Sequence, residues 1–587
     1  MSELSARLLT ELSRCTAHQF VALCAEEWAN TLIPGLKKLI GCDQGHAHHL
    51  EGDVALHTGL ALVHLRGACR RRLNREPSTV ELLAAVIHDL KKPECRVEDG
   101  EAVRFPGHEE MAARECAHIG SRCQLSTDEQ QHLTFLVEEH GAAHKIQKLP
   151  AERREALLVS RHALSLALLQ EADALATIGE RSSSGPVLWS ALTENTISPS
   201  YFDTPVDRRA YHSVKWNTYP EDVLPLWVAD MDFRSSPAII EALQRRVDHA
   251  DFGYEYPSRE LSAAITTWCA EQYNWSIDET HIVPLPGLVC GLNVVARAVG
   301  EGNGSTIVFT PVYPPFLSAP PNNGMETIEV PLEQKLQTDQ TFAYALDLDA
   351  FERVVRPDTK LCILCHPHNP SGEAWEPTEL SRLAEICAKR NITLCSDEIH
   401  CDLILDGSRH VPTALVAPTL RDNLITLMAP SKTFNVPGLG FSFAIIQSEA
   451  LRKRFIKAAD GITPHPNALG LAACEAAFTQ SKGWLKAARE YIAANRDLAV
   501  SFIQKHLPKV KVTNPQRTYL LWLDCRQLGD LGASPSAFLQ RDGKVALNDG
   551  ATFGVAGTGF ARLNLATQRS TLLAALHRMK DSLDKRK

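Results

Sequence analysis

Two kinds of hydrophobic periodicity divide the chain at about residue 180. Before that point apolar side chains recur every three or four positions, which predicts a series of amphipathic helices. After residue 205, short apolar and β-branched runs alternate with helical stretches, which is typical of an α/β domain. A cluster of Ser, Gly and Pro at 179–186 separates the two patterns. We therefore predict an all-α domain over residues 1–180, a linker over 181–204 and an α/β domain over 205–587.

The composition is that of a globular protein and narrows the range of partners. The chain has 587 residues, of which 44% are hydrophobic and 22% are charged, so it is long enough for two domains. A formal net charge of −9 argues against nucleic-acid binding through a basic surface. No apolar run is long enough to cross a bilayer, and the sixteen cysteines show no framework spacing. We expect a cytoplasmic protein with reduced thiols and without nucleic-acid or membrane partners.

Histidines and acidic residues lie at the ends of the predicted helices in the first domain. Ser78–Glu81 is a capping-box pattern, and the helix that it opens ends at His88-Asp89. Another helix begins after Pro106-Gly107, and a further one, capped at 127–130, ends at Glu139–Gly141 with glycine in the stop position. A His-Asp pair on one turn offers an imidazole and a carboxylate whose two oxygens can bridge two cations. Two ions about 3.5–4 Å apart can activate a water and clamp phosphoryl oxygens. The pattern alone is also compatible with surface or capping histidines.

The wider pattern of these residues resembles the HD superfamily of metal-dependent phosphohydrolases. The strings that carry the resemblance are His57-Thr58, 88–93 (HDLKKP) and 104–110 (RFPGHEE). The string at 48–53 (HHLEGD) is similar to the HD domain of bacterial tRNA nucleotidyltransferases. The resemblance covers about residues 45–180. It implies a divalent metal (Fe, Mn or Mg), an unidentified phosphorylated small molecule as substrate, and Lys92 facing its phosphate. The metal ligands that it implies are His57, His88, Asp89, His108, His140 and Asp173.

Three apolar strands of the second domain each end in polar side chains. The residues that follow them are Asn369, Asp397 and Lys432. Because ligands bind at the carboxyl ends of strands in open α/β sheets, we expect these side chains to share a site. The set suits pyridoxal 5'-phosphate (PLP): lysine joins the cofactor aldehyde, aspartate pairs with the ring nitrogen and asparagine binds the phenolate oxygen. The freed lysine amine can then act as the acid–base group.

The second domain also resembles fold-type I PLP-dependent aminotransferases (class I/II), and most closely the MalY/PatB-type cystathionine or C–S β-lyases. The segments that carry this resemblance are 226–233, 252–254, 310–316, 396–400, 431–435 and 560–564. It covers about residues 205–587 and implies a large α/β domain, a small α+β domain and a homodimer. It also implies an amino acid thioether as substrate, cleaved to a thiol, pyruvate and ammonia.

By matching position, this resemblance assigns roles to individual residues. Lys432 and Tyr313 are implied to be catalytic, with Tyr313 stacked on the cofactor ring. Arg562 is implied to hold the substrate carboxylate through its planar fork, and Ala229 to contact the substrate. The residues implied to contact the cofactor are Lys432, Asp397, Asn369, His400, Tyr313, Gly287, Leu288, Val289 and Ser431, with Tyr254 reaching the phosphate from the partner subunit.

Two positions near Lys432 depart from the aminotransferase pattern, and the string at 516–519 (QRTY) stands where a turn of small residues is expected. Many members have arginine eight residues after the lysine and serine three residues before it, where this chain has Gly440 and Ala429. We predict a bifunctional enzyme: a PLP-dependent C–S β-lyase fused to an HD-type metal-dependent phosphohydrolase. The alternatives are a PLP aminotransferase fused to an HD-type di-iron oxygenase, or a protein in which one domain is degenerate and regulatory.

Overall fold

The chain forms two units in the computed structural model, Met1–Thr196 and Ile197–Lys587. The structure describes residues 3–44, 52–73, 75–99, 102–158, 160–177, 199–337 and 339–586. Most of the predicted linker and the string 48–51 therefore lie outside the described residues. Pro199–Asp203, at the end of the predicted linker, is a helix whose Phe202 packs in the core of the second unit. None of the helices in the described ranges has the length and apolar content needed to cross a membrane.

The first unit is helical, with one small antiparallel hairpin. Its helices are α1 (Glu3–Leu12), α2 (Ala17–Ala25), α3 (Glu27–Leu32), α4 (Val54–Leu73), α5 (Thr79–Ile87), α6 (Lys92–Cys95), α7 (His108–Arg122), α8 (Thr127–Ala143), α9 (Ala151–Leu158) and α10 (Ala163–Ala176). The hairpin joins β1 (Val97–Asp99) to β2 (Ala102–Arg104). Helix α4 packs against α2 and α10, and α7 packs against α8. Leu62, Leu136 and Leu168 lie in the resulting core.

Two helix ends in this unit test the sequence predictions. The box at Ser78 and Glu81 is confirmed, and α5 ends so that His88 is its C-cap. The cap of α8 is Ser126, and the helix runs through Gly141 to Ala143, so the predicted stop at Gly141 is wrong. A Cβ at Gly141 would lie 2.6 Å from Glu109 Oε1, so this glycine serves the close approach of α7 and α8.

The second unit contains two main sheets covered by helices. Its helices are α11 (Pro199–Asp203), α12 (Val214–Asn217), α13 (Pro237–Asp248), α14 (Arg259–Tyr273), α15 (Leu288–Gly300), α16 (Pro314–Asn322), α17 (Leu348–Val354), α18 (Pro377–Lys389), α19 (Thr413–Val416), α20 (Pro430–Thr433), α21 (Glu449–Ala459), α22 (Ala468–Gln480), α23 (Lys482–His506), α24 (Pro535–Asp542) and α25 (Arg569–Asp584). Its strands are β3 (Leu224–Pro225), β4 (Ile282–Leu285), β5 (Ser305–Thr310), β6 (Glu326–Pro331), β7 (Glu333–Leu336), β8 (Thr341–Ala345), β9 (Thr359–Cys365), β10 (Thr393–Asp397), β11 (Leu424–Met428), β12 (Ser442–Ile445), β13 (Lys511–Thr513), β14 (Leu520–Asp524), β15 (Val545–Ala546), β16 (Asn548–Asp549) and β17 (Phe560–Asn564).

The large sheet has seven strands in the order β4-β12-β11-β10-β9-β5-β6. Strands β11, β10, β9, β5 and β6 are parallel, and β12 runs against its neighbours. Strands β10 and β11 are fully buried and β9 is buried except at Lys360, as expected for a sheet covered on both faces. The smaller sheet has six strands in the order β16-β17-β14-β13-β8-β7. The predicted α/β architecture of this unit is confirmed.

Candidate active site and metal centre

A cavity of about 240 Å³ lies where β9, β10 and β11 end. The register pairs Asp397, the last residue of β10, with Cys365 of β9 and Leu427 of β11. The loops that follow these three strand ends therefore emerge at one edge of the sheet. The predicted residues that line the cavity are Ala229, Gly287, Leu288, Val289, Tyr313, Asn369, Asp397, His400, Ser431 and Lys432.

The amine of Lys432 is held inside this cavity. Its Nζ donates to the carbonyl oxygen of Ala229 at 2.6 Å, and the Tyr519 hydroxyl donates to the same oxygen at 3.0 Å. Removal from water and then the positive charge of Arg562 lower the pKa of Lys432 to about 8. The amine is therefore far more often neutral at physiological pH than an ordinary lysine amine is.

The residue Asp397 lines the same cavity. It is 4% exposed, and its Oδ1 accepts a hydrogen bond from the Ile399 amide at 3.1 Å. Burial raises the pKa of Asp397 to about 7. A positively charged group placed against this carboxylate would offset the cost of its burial, so the site favours a ligand that carries a positive charge there.

Arg562 fixes the orientation of the Asn369 amide. Its Nη1 donates to Asn369 Oδ1 at 2.9 Å and its Nη2 donates to the Trp227 carbonyl at 2.8 Å. Because a guanidinium only donates, the oxygen of Asn369 must face Arg562, which leaves the amide N–H groups for a ligand. Burial lowers the pKa of Arg562 to about 10, so the side chain remains charged at neutral pH. Its Nε has no hydrogen-bond partner among the described residues.

The start of α15 forms another wall of the cavity. Gly287 is its N-cap and provides no side-chain hydrogen bond, so the first helical amides are available to an anion. Gly440 has φ +58°, and a Cβ there would lie 3.2 Å from the Pro286 carbonyl oxygen. The position that holds arginine in many aminotransferases is thus a left-handed turn packed against the loop before α15. Tyr254, in contrast, does not line the cavity of its own chain and is fully exposed.

His400 is buried at the cavity wall, and its Nδ1 lacks a hydrogen-bond partner within the described part of the chain. Burial and then the charge of Lys432 hold the pKa of His400 well below its usual value. The ring is therefore neutral and can hydrogen-bond a ligand as donor or acceptor, according to its tautomer.

Segment 227–233 contributes Ala229 to the cavity wall and is held by side chains to which the sequence prediction gave no role. Asn564 Nδ2 donates to the Val228 carbonyl at 2.7 Å, and the Met231 amide donates to Asn435 Oδ1 at 2.9 Å. Both asparagines belong to segments that carry the family resemblance, 431–435 and 560–564. Their place in those segments was the signal that could have identified them. They fix the Ala229 carbonyl that holds Lys432.

The comparisons with known proteins find similarity to residues of the second unit. Residues 221–579 match the family described as Aminotransferase class I and II. The chain belongs to this family. The predicted class I/II aminotransferase fold is therefore confirmed for the second unit, and the first unit lies outside the matched residues.

Two curated proteins are similar to this class I and II aminotransferase region along nearly their whole length. Cystathionine beta-lyase PatB of Bacillus subtilis (strain 168) is 38% identical over 390 residues, which span 65% of this chain and 99% of the relative. Protein MalY of Escherichia coli (strain K12) is 34% identical over 382 residues, which span 63% of this chain and 95% of the relative.

Solved structures show the same fold for the class I and II aminotransferase region. Cystalysin from Treponema denticola, which contains a pyridoxal 5'-phosphate cofactor, superposes with a TM-score of 0.63 at 32% identity and covers 66% of this chain and 99% of its own. The PLP-bound C-S lyase from Staphylococcus hominis gives a TM-score of 0.61 at 31% identity, with 65% of this chain and 98% of its own covered.

The first unit, separate from the class I and II aminotransferase region, gathers all six predicted metal ligands. Each residue of a group offers a ligand atom within 4.8 Å of the others. The first group consists of His57, His88, Asp89 and Asp173, and the second of Asp89, His108 and His140. Asp89 belongs to both groups, which is the arrangement expected of a carboxylate that bridges two cations.

Three of these histidines are locked in the tautomer that a metal ligand needs. The Nδ1 atoms of His88, His108 and His140 donate to the carbonyl oxygens three residues earlier, at 3.0, 2.8 and 2.7 Å. A carbonyl oxygen only accepts, so each Nδ1 carries a proton, and Nε2 is the atom that offers a lone pair when the ring is neutral. The Nε2 atoms of His88 and His108 have no hydrogen-bond partner in the described ranges. Ligating histidines characteristically show this outer hydrogen bond.

The charges at the centre suit cations. Asp89 Oδ2 lies 3.4 Å from His88 Nε2, and Asp89 Oδ1 lies 3.2 Å from His108 Nε2, so each oxygen faces one group. Burial by itself would raise the pKa of Asp89, but His88 and Lys92 outweigh it and hold the pKa well below its usual value. Burial lowers the pKa of His140 to about 3, which keeps that imidazole neutral.

Two further polar residues at this centre escaped the sequence prediction. His144 Nε2 lies 2.8 Å from Asp173 Oδ2, and His144 is not among the six predicted metal ligands. His144 is the C-cap of α8 and lies four residues after His140, a helical spacing that places both on the same side and was a usable signal. Gln44 Oε1 accepts from Lys92 Nζ at 2.8 Å, and nothing in the sequence pattern indicated that contact.

Proposed function

We propose that residues 205–587, within the second unit, form a PLP-dependent C–S β-lyase that acts on amino acid thioethers. The observation that carries the proposal is one cavity lined by an amine of lowered pKa, Lys432, and a buried carboxyl group, Asp397. The relatives named as cystathionine beta-lyases support the carbon–sulfur bond as the bond that is broken.

The residues of the cavity fit PLP. The uncapped start of α15 suits its phosphate, and Asp397 suits a protonated ring nitrogen. The free N–H groups of Asn369 suit its phenolate oxygen, and Tyr313 lines the cavity where a ring would be covered. When bound, PLP supplies an electron-accepting ring that stabilises negative charge on the substrate α-carbon.

The side chains of this chain then have separate tasks. Arg562 binds the substrate carboxylate, since its charge is already oriented between Asn369 and the Trp227 carbonyl. The neutral amine of Lys432 takes the α-proton, and the loss of that proton allows the thiolate to leave the β-carbon. In the overall reaction one thioether and one water give one thiol, one pyruvate and one ammonia.

Product analysis tests this proposal. The full-length chain loaded with PLP and given cystathionine should release thiol, pyruvate and ammonia in equal amounts without an added oxo acid. Amino transfer that depends on an oxo acid would instead support the aminotransferase alternative. Lys432→Ala should abolish turnover and the absorbance of the bound cofactor, whereas Lys509→Ala, at an exposed lysine, should retain both.

We also propose that the lyase is a homodimer in which Tyr254 of one subunit reaches the cofactor phosphate of the other. Phe252, Tyr254 and Tyr256 lie in one loop and are 59%, 101% and 86% exposed, an unusual aromatic exposure for a surface that nothing covers. Light scattering should give the mass of two chains. Tyr254→Phe should weaken PLP retention without changing that mass.

For residues 1–180, within the first unit, we propose a metal-dependent phosphohydrolase of HD type. The observation that favours it is the pair of ligand groups sharing Asp89, with Nδ1–H bonds that aim imidazole lone pairs inward. Such a site can hold two divalent ions and activate a water for attack on phosphorus. Two equivalents of metal and phosphate release from p-nitrophenyl phosphate would support this function. Iron with substrate-dependent oxygen uptake would support the oxygenase, and no metal would support a regulatory unit.

A further inference from the structure

Gln44 lies beside the candidate metal centre, where it contacts Lys92, the partner of the metal-ligand candidate Asp89. Its Oε1 accepts a hydrogen bond from Lys92 Nζ at 2.8 Å, and the same Nζ lies 2.7 Å from Asp89 Oδ2. The backbone is anchored one residue earlier, where the Asp43 carbonyl accepts from Arg96 Nε at 3.1 Å. Gln44 is 3% exposed, so its amide is enclosed rather than solvated.

Of the two polar atoms of the Gln44 amide, the oxygen has a hydrogen-bond partner in the described ranges and the nitrogen does not. An ammonium group has no acceptor, so the oxygen of Gln44 must face Lys92 and the nitrogen must face away from it. That nitrogen, Nε2, is buried and has no hydrogen-bond partner in the described ranges. A buried amide without a partner is costly, and a persistent example calls for a ligand or water that accepts its hydrogen bond.

The surroundings select the kind of acceptor. Lys92 is 8% exposed, donates one hydrogen bond to Gln44 and forms an ion pair with Asp89. Its Nζ also lies 5.4 Å from the centre of the Phe105 ring, so one side of the ammonium is apolar. A group with several negatively charged oxygens could satisfy Gln44 and Lys92 with one oxygen while others reach the cations. A phosphoryl group has this number and geometry of oxygens.

We propose that Gln44 and Lys92 form an oxyanion-binding corner that holds one phosphoryl oxygen of the first unit's substrate. The inference rests on the proposed metal centre and adds to it a binding residue, Gln44. In this role Gln44 donates through Nε2 to the phosphoryl oxygen, and its Oε1 orients the Lys92 ammonium toward the same oxygen.

The test uses the full-length chain saturated with PLP, so that the phosphate site of the second unit is occupied. The first unit is loaded with Mn²⁺, and inorganic phosphate is titrated while water proton relaxation reports ligands that displace water from the bound metal. Gln44→Leu removes the donor at nearly constant size, and Gln44→Glu replaces it with a carboxylate that repels phosphate. Gln147→Leu, at an exposed glutamine of the same unit, is the matched control.

We expect Gln44→Leu to weaken phosphate binding about tenfold, as for the loss of a hydrogen bond to a charged group, with unchanged Mn²⁺ stoichiometry. Gln44→Glu should weaken phosphate binding further, and Gln147→Leu should match the wild type. Equal phosphate affinity in wild type and both Gln44 variants, with Mn²⁺ still bound, overturns the oxyanion corner and leaves the metal centre intact. If the wild type binds no Mn²⁺, the proposed metal centre fails and the corner fails with it. Should Gln44→Leu not fold, Gln44→Glu decides the outcome.

Discussion

The lowered pKa of Lys432 has a measurable consequence for its reactivity in the apoprotein. Burial and the Arg562 charge lower this pKa from an ordinary value of 10.5 to about 8. Only the neutral amine is nucleophilic, so reactivity rises with pH and levels off above the pKa. At pH 7 the neutral fraction is about 9% for a pKa of 8 and about 0.03% for an ordinary lysine, a ratio of about 300.

Competitive acylation measures this difference directly. The apoprotein is treated with trace acetic anhydride at a series of pH values, and mass spectrometry quantifies the labelled peptides. Labelling of Lys432 should reach half of its plateau near pH 8, with exposed Lys509 as an internal reference for the reagent. Arg562→Met should move the midpoint upward, because the Arg562 charge disfavours the ammonium. A Lys432 curve that keeps rising about tenfold per pH unit up to pH 10 would refute the argument from burial and charge.

Three further predictions concern the carboxylate, the metal ligands and the loop that carries Asn369. Asp397→Asn should retain PLP but reduce kcat by about a hundredfold or more, because the neutral amide cannot pair with a protonated ring nitrogen. Steady-state kinetics with cystathionine measures this change. A kcat equal to that of the wild type would contradict the assigned role. His140→Ala should lower the metal content from two ions to one and Asp89→Asn should remove both, as measured by elemental analysis, whereas His118→Ala at an exposed site should change neither. Gly372→Ala should destabilise the fold by about 3 kcal/mol or more, since its φ is +83° and a Cβ would lie 2.3 Å from Pro515 Cβ. Gly407→Ala, with φ +76° and no atom beyond the chain neighbours within 4 Å of the added Cβ, should cost only about 1 kcal/mol in the same denaturation assay.

Local sequence was sufficient for much of the lyase site. Apolar runs that end in polar residues located Asn369, Asp397 and Lys432, and the parallel register of β9, β10 and β11 brings the strand ends that carry them to one cavity. This works because strand direction and hydrophobic periodicity are encoded by neighbouring residues, and parallel strands place their carboxyl ends on one edge.

The contacts between distant segments were decided only by tertiary structure. The sequence identified the six metal-ligand candidates, but their convergence depends on the packing of α4, α5, α7, α8 and α10. Gly141 has the residue type of a helix stop, yet it lies within α8, where the absence of a Cβ leaves room for Glu109 from α7. Gln44 lies in a segment without periodicity, and its contact with Lys92 spans 48 residues. Periodicity and caps reflect neighbours along the chain, whereas these contacts depend on how separate helices pack, a property that no single segment contains.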